Sequence, residues 1–155
     1  APRLLGAAVR SIAMAGAMET VLSLSVRYAN ERVQFGKPIG KFQAIQHNLA
    51  ILAGEAVAAR GAADLAAEAA ANGLDVLPVA AAKVRVGEAA GKAASIAHQV
   101  HGALGFTREH SLNLFTRRLW SWRNEFGNEA EWSAAAGRAA IGAGADGFWP
   151  LVSAV

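Results

Sequence analysis

The sequence predicts an all-α fold, an up-down-up-down four-helix bundle, on three observations. Apolar residues recur at helical spacing through four long segments, whereas no stretch shows the period-two alternation of a half-buried strand. The connections between these segments are short, which favours antiparallel neighbours. Hydrophobic residues make up 54% of the 155 residues but aromatic residues only 7%, so Ala-rich helix faces can pack closely.

Proline and glycine delimit the first two predicted helices. Pro2 suits the first turn of a helix, and helical spacing continues to Arg32 without another proline. The segment 35–40 contains two glycines and a proline, which predicts a compact turn. A second helix is predicted over about 42–71, because the Asn-Gly pair that follows it is typical of a helix C-terminus.

The second half of the chain contains a third helix and a broken fourth one. The third helix is predicted over about 77–101, and glycines end it. The fourth helical region is predicted in two pieces, 112–124 and 128–141, with Gly127 between them.

Glycine and proline also dominate the last residues of the chain. Residues 142–155 contain three glycines and Pro150, so we expect a loop there with at most a short helical turn. The predicted organisation is therefore one bundle domain over 1–141 and a C-terminal tail over 142–155.

Composition and charge exclude several classes of protein. The 15 basic and 12 acidic residues are spread along the chain, whereas a nucleic-acid-binding protein clusters its Lys and Arg, so no nucleic acid is expected. The absence of cysteine excludes disulfides and thiolate metal sites. His98 and His101 lack a third ligand at suitable spacing, so no metal is expected either. No uninterrupted apolar window and no secretory signal are evident, which predicts a cytoplasmic chain without a membrane partner.

Three stretches are more specific than a helical bundle requires, namely 28–46, 97–106 and 116–127. Taken alone, each has a plain structural interpretation. Arg32 is then a solvated charge at a helix end, and the glycines after His101 only end a helix. Their order and spacing carry more information than any one of them.

Together these stretches resemble the C-terminal domain of the acyl-CoA dehydrogenase family. The family's Arg-x-x-Phe-Gly-x-x-Ile-x-x-Phe-Gln motif occurs at Arg32, Phe35, Gly36, Ile39, Phe42 and Gln43. Its Gln-x-x-Gly-Gly-x-Gly-Phe/Tyr motif occurs at Gln99, Gly102, Gly105 and Phe106, with Ala103 in place of one glycine. The resemblance covers about residues 5–140, and it implies a four-helix bundle that normally follows a helical domain and a β-domain. Neither of these lies within the 155 residues, so this chain alone is expected to be inactive.

The resemblance also implies that the domain contacts FAD. Arg32 and Phe35 would meet the pyrophosphate and adenine of a neighbouring subunit's FAD, and Gln43 would touch the same cofactor. Further contacts implied by the resemblance come from Gln99, Gly102 and Ala103 in a paired subunit and from Asn128 on the same-subunit side. A pyrophosphate suits a fixed guanidinium and exposed backbone N–H groups.

The family's reaction is the α,β-dehydrogenation of an acyl-CoA thioester, in which a carboxylate removes the α-proton and the β-hydrogen leaves as hydride to the flavin. Alignment through the glycines and Arg117 places Phe126 where most members have the Glu base, and a second position used by some members falls near Gly6. The nearest carboxylate is Glu125, which is the candidate catalytic base. The alternatives are a surface Glu paired with Arg123 or Arg118, or a subunit whose partner supplies the base.

The resemblance thus implies a flavoprotein acyl-CoA dehydrogenase of lipid metabolism, with FAD as cofactor and acyl-CoA as substrate. Electrons would pass to an electron-transfer flavoprotein, and the protein would be a homo- or hetero-oligomeric dimer or tetramer. Two alternatives remain. One is a non-catalytic subunit that shares a flavin site in a hetero-oligomeric dehydrogenase, and the other is a purely structural helical assembly module.

Overall fold

The computed structural model describes residues 2–153, which form long antiparallel helices joined by short turns. A two-residue antiparallel hairpin follows the first helix, with strands β1 (Val33–Gln34) and β2 (Lys37–Pro38). The helices are α1 (Pro2–Glu31), α2 (Gln43–Ala71), α3 (Val76–His101), α4 (Leu112–Asn124) and α5 (Glu129–Ser153). Short 3-10 turns span Ile39–Lys41 and Gly102–Phe106. The predicted all-α bundle is confirmed.

The core lies between α1, α2 and α3, and α4 and α5 pack against α3 to complete the fourth position of the bundle. Met14 and Met18 of α1 meet Leu52 of α2 and Leu119 of α4 in one fully buried cluster. Alanine supplies most of the other buried positions, which lets the helix axes approach closely. The low aromatic content of the sequence reflects this close packing.

The first helix is also long and apolar enough, by length and composition, to cross a membrane. In the bundle, however, 44% of the residues in its most apolar window are buried. The core helix of a globular protein has the same properties, and α1 lies against both α2 and α3.

One sequence expectation is wrong. Residues 142–153 are helical rather than a loop, because α5 continues to Ser153. Gly144, with φ 69° and ψ 179°, has a non-helical backbone, so α5 consists of two helical segments that meet at a kink there. Residues 154–155 lie outside the described part of the chain, and the boundary between a bundle and a tail at 141 stays a prediction.

Candidate functional site

A groove with a volume of about 500 Å³ opens at the end of the bundle where α1 and α3 finish and α2 begins. Its walls are the hairpin on one side and the turn after α3 on the other. The residues that line it are Tyr28, Arg32, Gln34, Phe35, Ile39, Phe42, Ile45, Gln99, Val100, His101, Gly102, Ala103 and Leu104. The two motifs, more than 50 residues apart in the chain, therefore meet in one place.

The hairpin presents an aromatic ring to the groove in a strained conformation. Phe35 and Gly36 form its two-residue turn, with φ values of 52° and 79°, as in a type I′ turn. A non-glycine residue at positive φ is uncommon, and Phe35 is also 92% exposed. Its ring meets the Phe42 ring edge-on, at 6.2 Å between centroids. An exposed aromatic ring held in this way is suited to stacking against a planar ligand.

Arg32 provides a guanidinium at the same wall. It follows the end of α1, where its N–H donates to the Tyr28 carbonyl at 2.8 Å, and its own carbonyl accepts from Ile39 N–H at 2.8 Å. The backbone of Arg32 is thus fixed from both sides. Among residues 2–153 no carboxylate lies within ion-pair distance of its side chain, which is exposed.

The opposite wall is the end of α3 and the turn that follows it. Gln99 is exposed on the last turn of the helix, and Gly102, at φ 61°, ends it. Gly105 is buried, and a Cβ there would come within 3.0 Å of His101 Cβ and Leu112 Cδ2. These two glycines turn the chain tightly, so the backbone of Gly102 and Ala103 is exposed in the groove.

The floor of the groove contains residues that the motifs did not identify. Tyr28 and His101 stack with ring centroids 4.5 Å apart, and His110 meets the edge of the His101 ring at 4.8 Å. His101 Nδ1 lies 2.8 Å from the Ala97 carbonyl oxygen, while Nε2 is buried without a hydrogen-bond partner among residues 2–153. Burial lowers the pKa of His101, which favours the neutral ring at the floor of the groove. In the sequence, the one indication that His101 contributes to the groove is its position directly before Gly102 of the motif.

His98 faces a different neighbour from His101. Its Nε2 lies 2.9 Å from Thr116 Oγ1 of α4, and its ring stacks on Phe106 and Trp120. The two histidines therefore do not converge. The described residues contain no group of three His, Cys, Asp or Glu side chains that could hold a metal ion.

The remaining predicted cofactor contacts lie in two places. Gln43 begins α2 directly after Phe42, which lines the groove, but Gln43 itself does not line it. Asn128 lies at the opposite end of the bundle, where its Oδ1 accepts from Glu131 N–H at 3.1 Å and caps α5. The structure thus brings together Arg32, Phe35 and the end of α3, and it separates Asn128 from them.

The candidate base Glu125 lies near Asn128, at the end of α4. Its Oε2 accepts from Arg10 Nε at 2.5 Å, and its Oε1 accepts from Ser121 Oγ at 3.3 Å. The side chain is 36% exposed, so the carboxylate is neither free nor in a dry pocket. The structure places Phe126 with its ring on Gly6, where a Cβ would come within 2.6 Å of Phe126 Cγ.

Comparisons with known proteins agree with this architecture. Residues 5–130 match the family described as acyl-CoA dehydrogenase, C-terminal domain. The chain is 40% identical over 103 residues to the acyl-CoA dehydrogenase IpdE2 of Mycobacterium tuberculosis, a match that covers 66% of this chain and 31% of that protein. It is 43% identical over 107 residues to glutaryl-CoA dehydrogenase of Desulfococcus multivorans, which covers 66% of this chain and 27% of that protein.

A solved structure shows the same arrangement of helices. The crystal structure of an acyl-CoA dehydrogenase from Geobacillus kaustophilus has a TM-score of 0.80 at 29% identity and covers 86% of this chain and 36% of that one. This chain thus spans about a third of the length of these relatives. It belongs to the acyl-CoA dehydrogenase family, whose members are FAD-dependent flavoproteins, and the part of the family that it matches is the C-terminal domain.

Proposed function

We propose that the chain is the FAD- and subunit-contacting domain of a protein that dehydrogenates an acyl-CoA thioester. The observation that carries this proposal is the groove in which Arg32, Phe35 and Gln99 converge. The substrate class, and lipid metabolism as its setting, are inferred from the family. The same inference makes an electron-transfer flavoprotein the electron acceptor and the cytoplasm the location.

The residues of the groove fit the parts of a dinucleotide. The guanidinium of Arg32, which forms no ion pair with residues 2–153, suits a pyrophosphate, and the exposed ring of Phe35 suits the adenine. Gln99 offers a carboxamide, and the backbone of Gly102 and Ala103 is accessible beside it. FAD, when bound, supplies the two-electron acceptor for the β-hydrogen. The residues of this chain bind and orient it.

The separation of the two predicted contact regions supports an oligomer. Asn128 lies near the first turn of α1, because the neighbouring Phe126 carbonyl accepts from Arg3 Nε at 3.3 Å. Arg32 lies after the last turn of that 30-residue helix. The two regions are therefore about 45 Å apart at 1.5 Å per residue, which is too far for one compact contact. We infer that one chain contributes to two FAD sites, so each site combines chains of a homo- or hetero-oligomer.

FAD retention tests the proposal. We expect purified whole protein carrying Arg32→Ala or Gln99→Ala to contain less bound flavin than wild type, as measured by absorbance after gel filtration. Undiminished flavin in both variants would favour the alternative of a purely structural helical module.

A second candidate function is favoured by the contact between Phe126 and Gly6. Both positions at which the family resemblance places the base lack a carboxylate, and Glu125 is bound to Arg10. The chain would then be a non-catalytic subunit that shares a flavin site while its partner supplies the base. Glu125→Gln in the whole protein separates the two functions. Turnover within about twofold of wild type favours the non-catalytic subunit, whereas a loss of several orders of magnitude assigns the base to Glu125.

A further inference from the structure

Lys83 is the largest side chain in the fully buried core, at 1% exposure. It extends from α3 to the turn between α4 and α5. Its Nζ donates to the carbonyl oxygen of Arg123 at 2.7 Å and to that of Gly127 at 2.9 Å. One ammonium group therefore joins the two ends of the segment 123–127.

This segment has an unusual backbone conformation. Phe126 and Gly127 both have positive φ, at 60° and 106°, and a non-glycine residue at such an angle costs about 1 kcal/mol or more. The Phe126 carbonyl is held from outside the segment, because it accepts from Trp132 Nε1 at 3.1 Å and from Arg3 Nε at 3.3 Å. Contacts from α1, α3 and α5 together determine the conformation of the turn.

Burial of the Lys83 ammonium group is energetically unfavourable. Burial lowers the pKa of Lys83, and the nearby carboxylates of Glu129 and Glu125 oppose that shift. An apolar side chain of similar volume would fill the same space without this desolvation penalty. The Arg123 carbonyl lies in the last turn of α4, where the helix dipole favours a positive charge, whereas the Gly127 carbonyl belongs to the turn itself.

The turn determines where two side chains point. It directs the ring of Phe126 onto Gly6 and leaves Glu125 within reach of Arg10. We propose that Lys83 is a positioning residue, whose two hydrogen bonds hold the α4–α5 turn in the conformation that places Phe126 on Gly6 and Glu125 beside Arg10. The inference rests on the proposed function only in that the turn, which precedes Asn128, would then lie beside the same-subunit FAD.

Hydrogen exchange of the whole protein, followed by mass spectrometry, tests the proposal. Lys83→Met keeps the stem of the side chain but removes both donors, and Lys83→Gln keeps one amide donor. Met18→Ala, in the core of α1 away from the turn, is the matched destabilised control. We expect peptides over 122–132 to exchange roughly tenfold faster or more in Lys83→Met than in Met18→Ala, with Lys83→Gln between them. The amides of Glu125 and Trp132, which donate within this region, report on it.

Equal exchange over 122–132 in Lys83→Met and Met18→Ala would overturn the positioning role, because the effect of Lys83 would then be general stability. If Lys83→Met does not fold, the exchange of Lys83→Gln over 122–132 is compared with that of Met18→Ala instead. Equal exchange in these two variants would likewise overturn the positioning role. Flavin content is measured on the same samples. If the wild-type protein contains no flavin, the proposed function is contradicted. The exchange comparison still tests the role of Lys83, because it does not depend on bound flavin.

Discussion

The aromatic ring of Phe126 lies on Gly6, so that the α4–α5 turn and the first turns of α1 are in direct contact. These are the two positions at which the resemblance to acyl-CoA dehydrogenases places the catalytic carboxylate. In this chain Phe126 has an aromatic ring and Gly6 has no side chain, so the two residues are complementary in size. The contact links the packing of the domain to the question of where the base comes from.

This contact predicts a position-specific effect of adding one methyl group to α1. Gly6→Ala would place Cβ within 2.6 Å of Phe126 Cγ, so we expect a loss of about 1–3 kcal/mol from the free energy of unfolding. Gly16→Ala is the matched control in the same helix, because no atom lies within 4 Å of a Cβ there. It should raise stability by about 0.5–1 kcal/mol.

The free energies of unfolding of Gly6→Ala and Gly16→Ala are measured by chemical denaturation of the whole protein and compared with that of wild type. Adding Phe126→Ala to Gly6→Ala should recover part of the loss, because the ring that the methyl group meets is then gone. Similar effects of Gly6→Ala and Gly16→Ala would show that the ring does not lie on Gly6.

Glu55 of α2 predicts an acid-dependent loss of stability. Its carboxylate accepts from Arg85 at 2.6 Å and from Lys92 at 3.0 Å, both on α3. Burial alone would raise the pKa of Glu55, but these hydrogen bonds outweigh burial and the pKa lies below the ordinary value of 4.5. The stabilisation is therefore present above pH 4.5 and is lost as the pH falls through the lower pKa of the folded state.

We expect Glu55→Gln to lose about 1–2 kcal/mol near neutral pH, and the difference from wild type in Tm to shrink below pH 4.5. Glu19→Gln is the control, since Glu19 pairs with Arg60 in solvent and should change stability by less than about 0.5 kcal/mol. A Tm difference for Glu55→Gln that does not vary with pH would contradict the account.

His101 predicts a second pH dependence, in a higher range. Burial lowers its pKa despite the hydrogen bond to Ala97, and His110 and His98 lower it further. As the pH falls below 6.5, the unfolded chain gains a proton that the folded chain does not, so stability falls until the lower folded pKa is reached. His101→Phe keeps an aromatic ring on Tyr28 but removes this titration.

The decline in Tm between about pH 7.5 and pH 5.5 should therefore be smaller in His101→Phe than in wild type. His47 is exposed on α2, so His47→Phe is the control for replacing a histidine by phenylalanine. The same slope in His101→Phe and wild type would mean that His101 is not held neutral by burial.

Proline, glycine and helical spacing predicted the boundaries of the long helices closely, because these depend on local chain chemistry. Pro2 begins α1, which ends at Glu31, one residue before Arg32, and α4 spans 112–124 as expected. The helical tail was not predictable, because the glycines of 142–147 disfavour a helix locally. The structure accommodates these glycines by a kink at Gly144.

The sequence motifs identified two walls of the groove but not its floor. Tyr28 and His101 meet across α1 and α3, and such a contact depends on how the helices pack rather than on spacing. Lys83 was missed for a related reason, since a lysine in an Ala-rich helix is most often solvated. Its carbonyl partners lie 40 and 44 residues away in the chain.

Titration of FAD into the apoprotein of the whole protein tests the central claim, that this groove holds the dinucleotide. Arg32→Ala should weaken FAD affinity roughly tenfold or more, because a charged contact to phosphate is lost. Arg27→Ala is the matched control, because Arg27 is exposed near the end of α1, five residues before Arg32, and does not line the groove. It should bind FAD within about twofold of wild type. Equal affinity in wild type, Arg32→Ala and Arg27→Ala would contradict the account.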